Sequence, residues 1–301
     1  MGMQINTNTM ANNAYRNLNG MQDSLSKSME KLSSGLRINR AADDAAGLAI
    51  SEGLKSQVSG SAVAARNAQD GISVIQTTEG ALTEVHSILQ RMRDLAVQGA
   101  NDTNNANSRT AIKAEGDSLG QELDRITKST NFNGIDLLKG AAGTGVTSDL
   151  GTPPNGFLKI QVGTGGTAND TIAVKVGDVA AAAGTLSGAA GATGFNVTDT
   201  VAGDGSASTN AQNTIKAIDT AITAISTQRA QLGATQNRLE HATKTLNVAG
   251  ENLSAAASRI TDTDMAQEMV KYTKANVMSQ AGTAMLAQAN QSGQGVLSLL
   301  R

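Results

Sequence analysis

The sequence predicts a mainly α protein: a long antiparallel helical bundle or coiled coil formed by N- and C-terminal segments, with a small β-hairpin-containing insert. Three observations carry this expectation. Apolar residues recur at every seventh position at Ile218, Ile225, Leu232, Leu239, Leu246, Leu253 and Ile260, the spacing of a coiled-coil seam. The first 130 or so residues repeat apolar side chains at steps of three and four, the period of a helix with one buried face. Between Lys139 and Asn210 that period vanishes, and Gly, Thr, Ala and Ser dominate around the chain's two prolines, Pro153 and Pro154.

From Met10 the stripe runs through Ala14, Leu18, Met21, Leu25, Met29, Leu32 and Leu36. Its steps make an eleven-residue repeat, ~3.67 residues per turn, so this helix should pack nearly straight. Gly35, Arg37, Asn39, Arg40, Asp43 and Asp44 then break the pattern. A glycine followed by fresh acids marks a helix end and a helix start, so residues 34 to 46 read as a structured joint. A second helix follows from Ala45 to Gln98, striped by Ala68, Ile72, Ile75, Leu82, Val85, Leu89, Met92 and Ala96. It should pair with the heptad helix. The run Asn101 to Asn105 is a turn by composition, and Ile112, Leu119, Leu123 and Ile126 resume the stripe in a third, antiparallel helix that Asn131-Phe132-Asn133-Gly134 ends.

In the insert, Phe157 to Val162 and Thr171 to Val176 alternate apolar and polar residues around Gly163, Gly165, Gly166 and Asn169, which predicts a β-hairpin. The remainder of the insert is weakly determined and should be the outermost and least constrained part. No proline follows Pro154, so the heptad helix is expected to continue unbroken from Ala211 to Leu300, on the order of 130 Å at ~1.5 Å per residue. Small residues at Ala221, Ala242, Ala249 and Ala256 follow the seam by three, and Gln228 and Thr235 interrupt it.

Composition narrows the function. Aromatics are 2% of the 301 residues and Trp is absent, which suits thin helical layers better than a deep enzyme core. Lys and Arg total 24 against 26 acids, so no basic field for nucleic acid exists. There is no cysteine, which excludes thiolate chemistry and disulfides. His86 and His241 lack metal-ligand spacing, and no Ser occupies a nucleophile elbow. Asp262 and Asp264, beside Thr261 and Thr263, read as helix-capping or subunit-contact groups rather than an acid–base pair. No enzyme and no cofactor are expected. The first residues carry neither a basic nor an apolar signal region, and no run reaches the ~18 apolar residues of a membrane span. Insertion into a membrane is not expected, and export would proceed without a cleaved signal peptide.

The chain ends in Val296-Leu297-Ser298-Leu299-Leu300-Arg301. Burying each such large side chain stabilises by roughly 1.5 to 3 kcal/mol, so two apolar-striped ends invite association. Leu25, Leu32, Leu36, Met285, Leu297, Leu299 and Leu300 are the packing candidates, and Arg37, Arg40, Asp43 and Asp44 form the joint.

The chain resembles the bacterial flagellins. Leu32-Ser33-Ser34-Gly35-Leu36-Arg37-Ile38-Asn39, the run Ala41 to Ile50 and Asn67 to Ser73 carry the resemblance upstream. Asn131 to Gly134, Ser258-Arg259-Ile260, Leu286 to Gln291 and Val296 to Leu300 carry it downstream. It spans about residues 3 to 140 and 210 to 301. The resemblance implies an inner terminal-helix domain (1–44 with 258–301), an outer helical bundle (45–140 with 206–257) and a short variable surface insert (141–205). It implies a subunit that self-assembles into the extracellular flagellar filament, with the related hook–filament junction proteins as the alternative. Implied partners are further copies of the chain, an export chaperone, a filament cap protein, junction proteins and a vertebrate Toll-like receptor, whose contact would match Arg91, Leu95 and Glu115. Gly116 departs from the apolar residue the resemblance expects, and should soften the third helix by ~1 kcal/mol.

Overall fold

The computed structural model describes residues 8–139, 157–177, 179, 184, 186, 194–198 and 206–299, with 206 and 292–299 described by backbone alone. Five long helices carry the fold: α1 (Thr9–Ser34), α2 (Ala45–Gly99), α3 (Ala106–Ser129), α4 (Ser206–Thr261) and α5 (Met265–Leu299). Two small antiparallel hairpins accompany them, β1 (Asn131–Phe132) with β2 (Ile135–Asp136) and β3 (Phe157–Gln161) with β4 (Thr171–Lys175). Contacts divide the chain into unit 1, Met1–Val58 with Glu251–Arg301, and unit 2, Ser59–Gly250. Among the described residues no helix is long and apolar enough to cross a membrane.

Unit 2 is built on α2 and α4. Along α2 the residues Ser61, Gly71, Glu79 and Arg93 meet Gly250, Leu239, Arg229 and Asp219 of α4 in turn. Numbers rise on one helix as they fall on the other, so the two run antiparallel, and the predicted pairing holds. Their stripes interlock: Ile75, Leu82, Val85, Leu89 and Met92 share one buried cluster with Ile218, Ile225, Leu232 and Leu239. The heptad seam thins beyond that point, since Leu246, Leu253 and Ile260 are only half-buried. Helix α3 turns back after Asn101–Asn105 and adds Ile112 and Leu123 to the same cluster. Asn105 caps it by accepting from the Ser108 N–H at 2.8 Å. The β1–β2 turn places Asn133 and Gly134 at φ 49° and 78°, the left-handed pair that an Asn-Gly hairpin requires.

The described part of the insert departs from the expectation of a loose outer loop, while the remainder of 141–205 lies outside the described residues. Of its described apolar residues, Ile160, Ile172, Val174, Val179, Leu186, Phe195 and Val197 are buried in the unit 2 cluster, and Leu158 and Val162 pack against it partly buried. The helices make room for them with glycines. A Cβ at Gly116 of α3 would overlap the Phe195 ring, one at Gly71 of α2 would overlap Ile160, and one at Gly99 would stand 2.7 Å from Val197. Gly116 is therefore a socket for an aromatic ring, and its ~1 kcal/mol propensity penalty is offset by burying Phe195 completely. The polar interruption at Gln228 has a similar cause: it donates to the Lys175 carbonyl of β4 at 2.6 Å. Asn67 of α2 donates to the Gln161 carbonyl of β3 at 3.2 Å. Two helix amides thus hold the hairpin at both of its strands.

The unbroken helix from Ala211 to Leu300 is also corrected. Residues 262–264 separate α4 from α5. The break comes from a strand-like contact between Leu36 and Asp262 rather than from a proline.

Candidate functional site

Unit 1 contains the joint and the paired terminal helices. Helix α1 ends at Gly35, whose φ of 73° and N–H to the Lys31 carbonyl make a left-handed cap. Immediately beyond it, Arg37 N–H donates to the Thr261 carbonyl at 2.6 Å and Thr263 N–H donates to the Gly35 carbonyl at 3.0 Å. Leu36 and Asp262 form the antiparallel bridge between these two bonds. The Arg37 guanidinium adds a bond to the Ile260 carbonyl at 2.5 Å. Carbonyls left without partners at the end of α4 are thus satisfied by the segment after α1, and this exchange stops the helix at Thr261. Asp264 starts α5 by accepting from the Ala266 and Gln267 N–H groups at 2.9 and 3.2 Å. The capping role read for Asp264 holds.

The other joint residues are equally local. Asp44 accepts from the Gly47 N–H at 2.9 Å and opens α2. Asp43 accepts from the N–H groups of Arg40 and Asn39 at 3.0 and 3.2 Å; these bonds, Arg40 foremost, hold its carboxyl below the ordinary 3.8. Glu30 accepts from the Arg40 guanidinium and the Asn39 amide, both at 2.8 Å. Arg37, Asp43 and Asp44 therefore act on backbone, Arg40 pairs with Glu30, and all four belong to unit 1.

Helices α1 and α5 run antiparallel along each other: Asn8, Leu18 and Ser28 meet Ala289, Gly282 and Glu268. The Ser28 hydroxyl donates to Glu268 at 2.7 Å in a buried contact. Burial pushes the Glu268 carboxyl up, but the bonds from Ser28 and Lys271 outweigh it and leave it below the ordinary 4.5. Little else in this pair is closed. Leu18 is the buried apolar residue of α1, while Leu25, Leu32 and Leu36 are half-buried. Met10, Val270, Val277 and Met285 are 71%, 69%, 59% and 67% exposed. A groove of about 390 Å3 between the two helices is lined by Met10, Leu18, Met21, Met278, Gly282 and Met285, among others. The side chains of Leu297 and Leu299, and all of Leu300, lie outside the described residues.

The expected receptor residues are not one surface. Arg91 pairs with Glu115 at 2.6 Å with both side chains exposed, whereas Leu95 is 2% exposed within the unit 2 cluster. Leu95 falls three residues after Met92, which places it on the core stripe; that spacing was the available signal. His241 is exposed, and His86 is half-buried with its ring nitrogen 2.9 Å from the Gln90 amide. The residues that sequence reasoning missed are Ser28 and Glu268, whose pairing no local pattern announces.

The family described as the bacterial flagellin N-terminal helical region matches residues 5–142, and that described as the bacterial flagellin C-terminal helical region matches residues 215–300. A flagellin of Halalkalibacterium halodurans is 48% identical over 299 residues, covering 99% of this chain and all of the relative. A flagellin of Bacillus subtilis is 47% identical over 312 residues with the same coverage. A solved flagellar hook-associated protein from Vibrio parahaemolyticus aligns over 73% of this chain and all of its own, with a TM-score of 0.56 at 15% identity; at that identity the likeness speaks to the fold alone.

Proposed function

The chain belongs to the bacterial flagellin family, a structural subunit that self-assembles into the flagellar filament, and from that premise we propose that α1 and α5 of unit 1 form the contacts between subunits. The observation that carries this reading is the apolar surface of the pair. Met10, Val270, Val277 and Met285 stand in water in the isolated chain, and burying each would stabilise by roughly 1.5 to 3 kcal/mol. Among the described residues the same helices have too few buried side chains of their own to be a finished core. Packing of α1 and α5 against copies supplies what the single chain lacks, and Leu25, Leu32, Leu36, Met285, Leu297, Leu299 and Leu300 are the residues assigned to it.

On this reading residues 1–44 with 258–301 are the inner filament wall, 45–140 with 206–257 the layer outside it, and 141–205 the surface insert. Export to the growing flagellum, an export chaperone holding the C-terminal helix unassembled, a filament cap and junction proteins complete the proposed life of the subunit. For an innate receptor of the Toll-like class, the exposed Arg91–Glu115 pair is the proposed contact, with Leu95 supporting it from below. A junction-protein role has only the fold-level likeness behind it.

The test is elongation of short filament seeds followed by electron microscopy. The full chain should give long tubes, and a chain lacking residues 290–301 should remain a soluble, partly helical monomer. Rings or unelongated seeds from the full chain would overturn the reading.

A further inference from the structure

The exposed apolar surface of unit 1 is made largely of one residue type. Among its described side chains, Met10, Met29, Met265, Met269, Met278 and Met285 are all substantially exposed, from 44% to 71%. Met10, Met278 and Met285 line the groove between α1 and α5 together with half-buried Met21. Met269 and Met278 frame a second apolar hollow on α5 with Val270 and Val277. Met92, in contrast, is fully buried in unit 2. A thioether in water is open to two-electron oxidants, and its product, methionine sulfoxide, is polar and disrupts Met-rich interfaces.

We infer that the methionines of α1 and α5 form an oxidation site that controls assembly: a hydroperoxide converts them to sulfoxides in the unassembled chain, which then no longer joins the filament. In the step, a sulfur lone pair attacks one peroxide oxygen, the S–O bond forms and the O–O bond breaks. Sulfur loses two electrons, the peroxide is reduced, and with hydrogen peroxide the proton on the transferred oxygen passes to the departing hydroxide, leaving the sulfoxide and water. Each sulfoxide places a strong hydrogen-bond acceptor on a surface that must be desolvated to pack, and a buried acceptor without a donor is unfavourable. Once assembled, the same sulfurs are covered, so the modification acts on the subunit before it joins. The effect rests on the assembly reading above.

The experiment treats the full-length monomer with hydrogen peroxide, maps oxidation by peptide mass spectrometry, and measures seed elongation before and after. The six exposed methionines should gain oxygen well ahead of Met92, and elongation should fall roughly tenfold or more. Treatment with methionine sulfoxide reductases of both stereospecificities should restore it. A chain carrying Met→Leu at positions 10, 29, 265, 269, 278 and 285 should elongate equally before and after peroxide. Oxidised wild-type chain that elongates at the untreated rate would overturn the inference while leaving the assembly reading intact. Failure of reductases to restore elongation would also overturn it, and that arm decides the matter even if the leucine chain assembles poorly. Untreated wild-type chain that never elongates seeds would instead remove the assembly reading itself, and this inference with it.

Discussion

Unit 2 closes its core and unit 1 does not. In unit 2, Ile75, Leu82, Leu89, Met92, Leu123, Phe195, Ile218 and Ile225 are all essentially inaccessible, and the insert fills what the helices leave open. In unit 1 the pair α1 and α5 buries Leu18, Ser28 and Glu268 but leaves Met10, Val270 and Met285 in water. Both units use the same helical period. The difference lies in what covers the helices: in unit 2 α3, the β3–β4 hairpin and Phe195 pack onto α2 and α4, whereas in unit 1, which also holds the start of α2 and the end of α4, the described side chains of α1 and α5 stay largely open. A helix pair shielded on one side is a component of something larger, whereas a pair shielded all round is a finished domain.

Removing the cover from unit 2 should produce the largest change. Phe195→Ala would leave a cavity among α3 and the cluster, with a loss of about 3 to 5 kcal/mol. Hydrogen exchange should report faster opening of α3 and the hairpin with α1 and α5 unaffected; unchanged protection of α3 would mean that Phe195 does not close the core.

The glycine sockets offer a sharper version. Ala at Gly116 gains up to ~1 kcal/mol of helix propensity but meets three atoms of the Phe195 ring, an overpacking that costs typically 1 to 3 kcal/mol. At Gly80 of α2 nothing lies within 4 Å, so Ala there should stabilise by up to ~1 kcal/mol. Thermal melts of the two variants should therefore shift in opposite directions. Shifts of the same sign would show that the ring moves aside freely.

In unit 1 the corresponding lever is a cap. Asp264→Ala removes the acceptor for Ala266 and Gln267 and should weaken the start of α5 by ~1 kcal/mol. Local exchange at Ala266 and Gln267 would reveal it, with unit 2 unmoved; an unchanged rate would mean that the bridge to Leu36 alone fixes the helix start.

The smallest effect is expected from pH at the joint. The Asp43 carboxyl is held below its ordinary 3.8 by the N–H groups of Arg40 and Asn39. A depressed carboxyl adds stability that is fully present above 3.8 and is lost as the pH falls through the lower folded value. The turn 39–43 should stay formed down to pH 3.8 and open below it, as followed by the Asn39 and Arg40 amide resonances. A midpoint at or above 3.8 would contradict the hydrogen-bonded turn.

Sequence alone determined the first three helices, the α2–α4 seam, the joint and the β3–β4 hairpin, because each is written in local period or turn chemistry. Positions three, four or seven apart share a helix face whatever the chain does elsewhere, and Gly35 with Asp43 and Asp44 announces an end and a start by residue type. Tertiary structure decided the rest. Thr261 ends α4 because Arg37 and Gly35, far upstream in the chain, exchange hydrogen bonds with it and with Thr263, and no window of sequence contains both partners. Gly116 reads by sequence as a soft point in α3; an isolated glycine signals a close approach, but only the fold names Phe195 as what approaches it, as it names Ile160 at Gly71 and Val197 at Gly99. Ser28 and Glu268 were unremarkable polar residues until two distant helices brought them together. Periodicity identifies which face of a helix is buried, and the identity of what buries it belongs to contacts between segments that the sequence keeps apart.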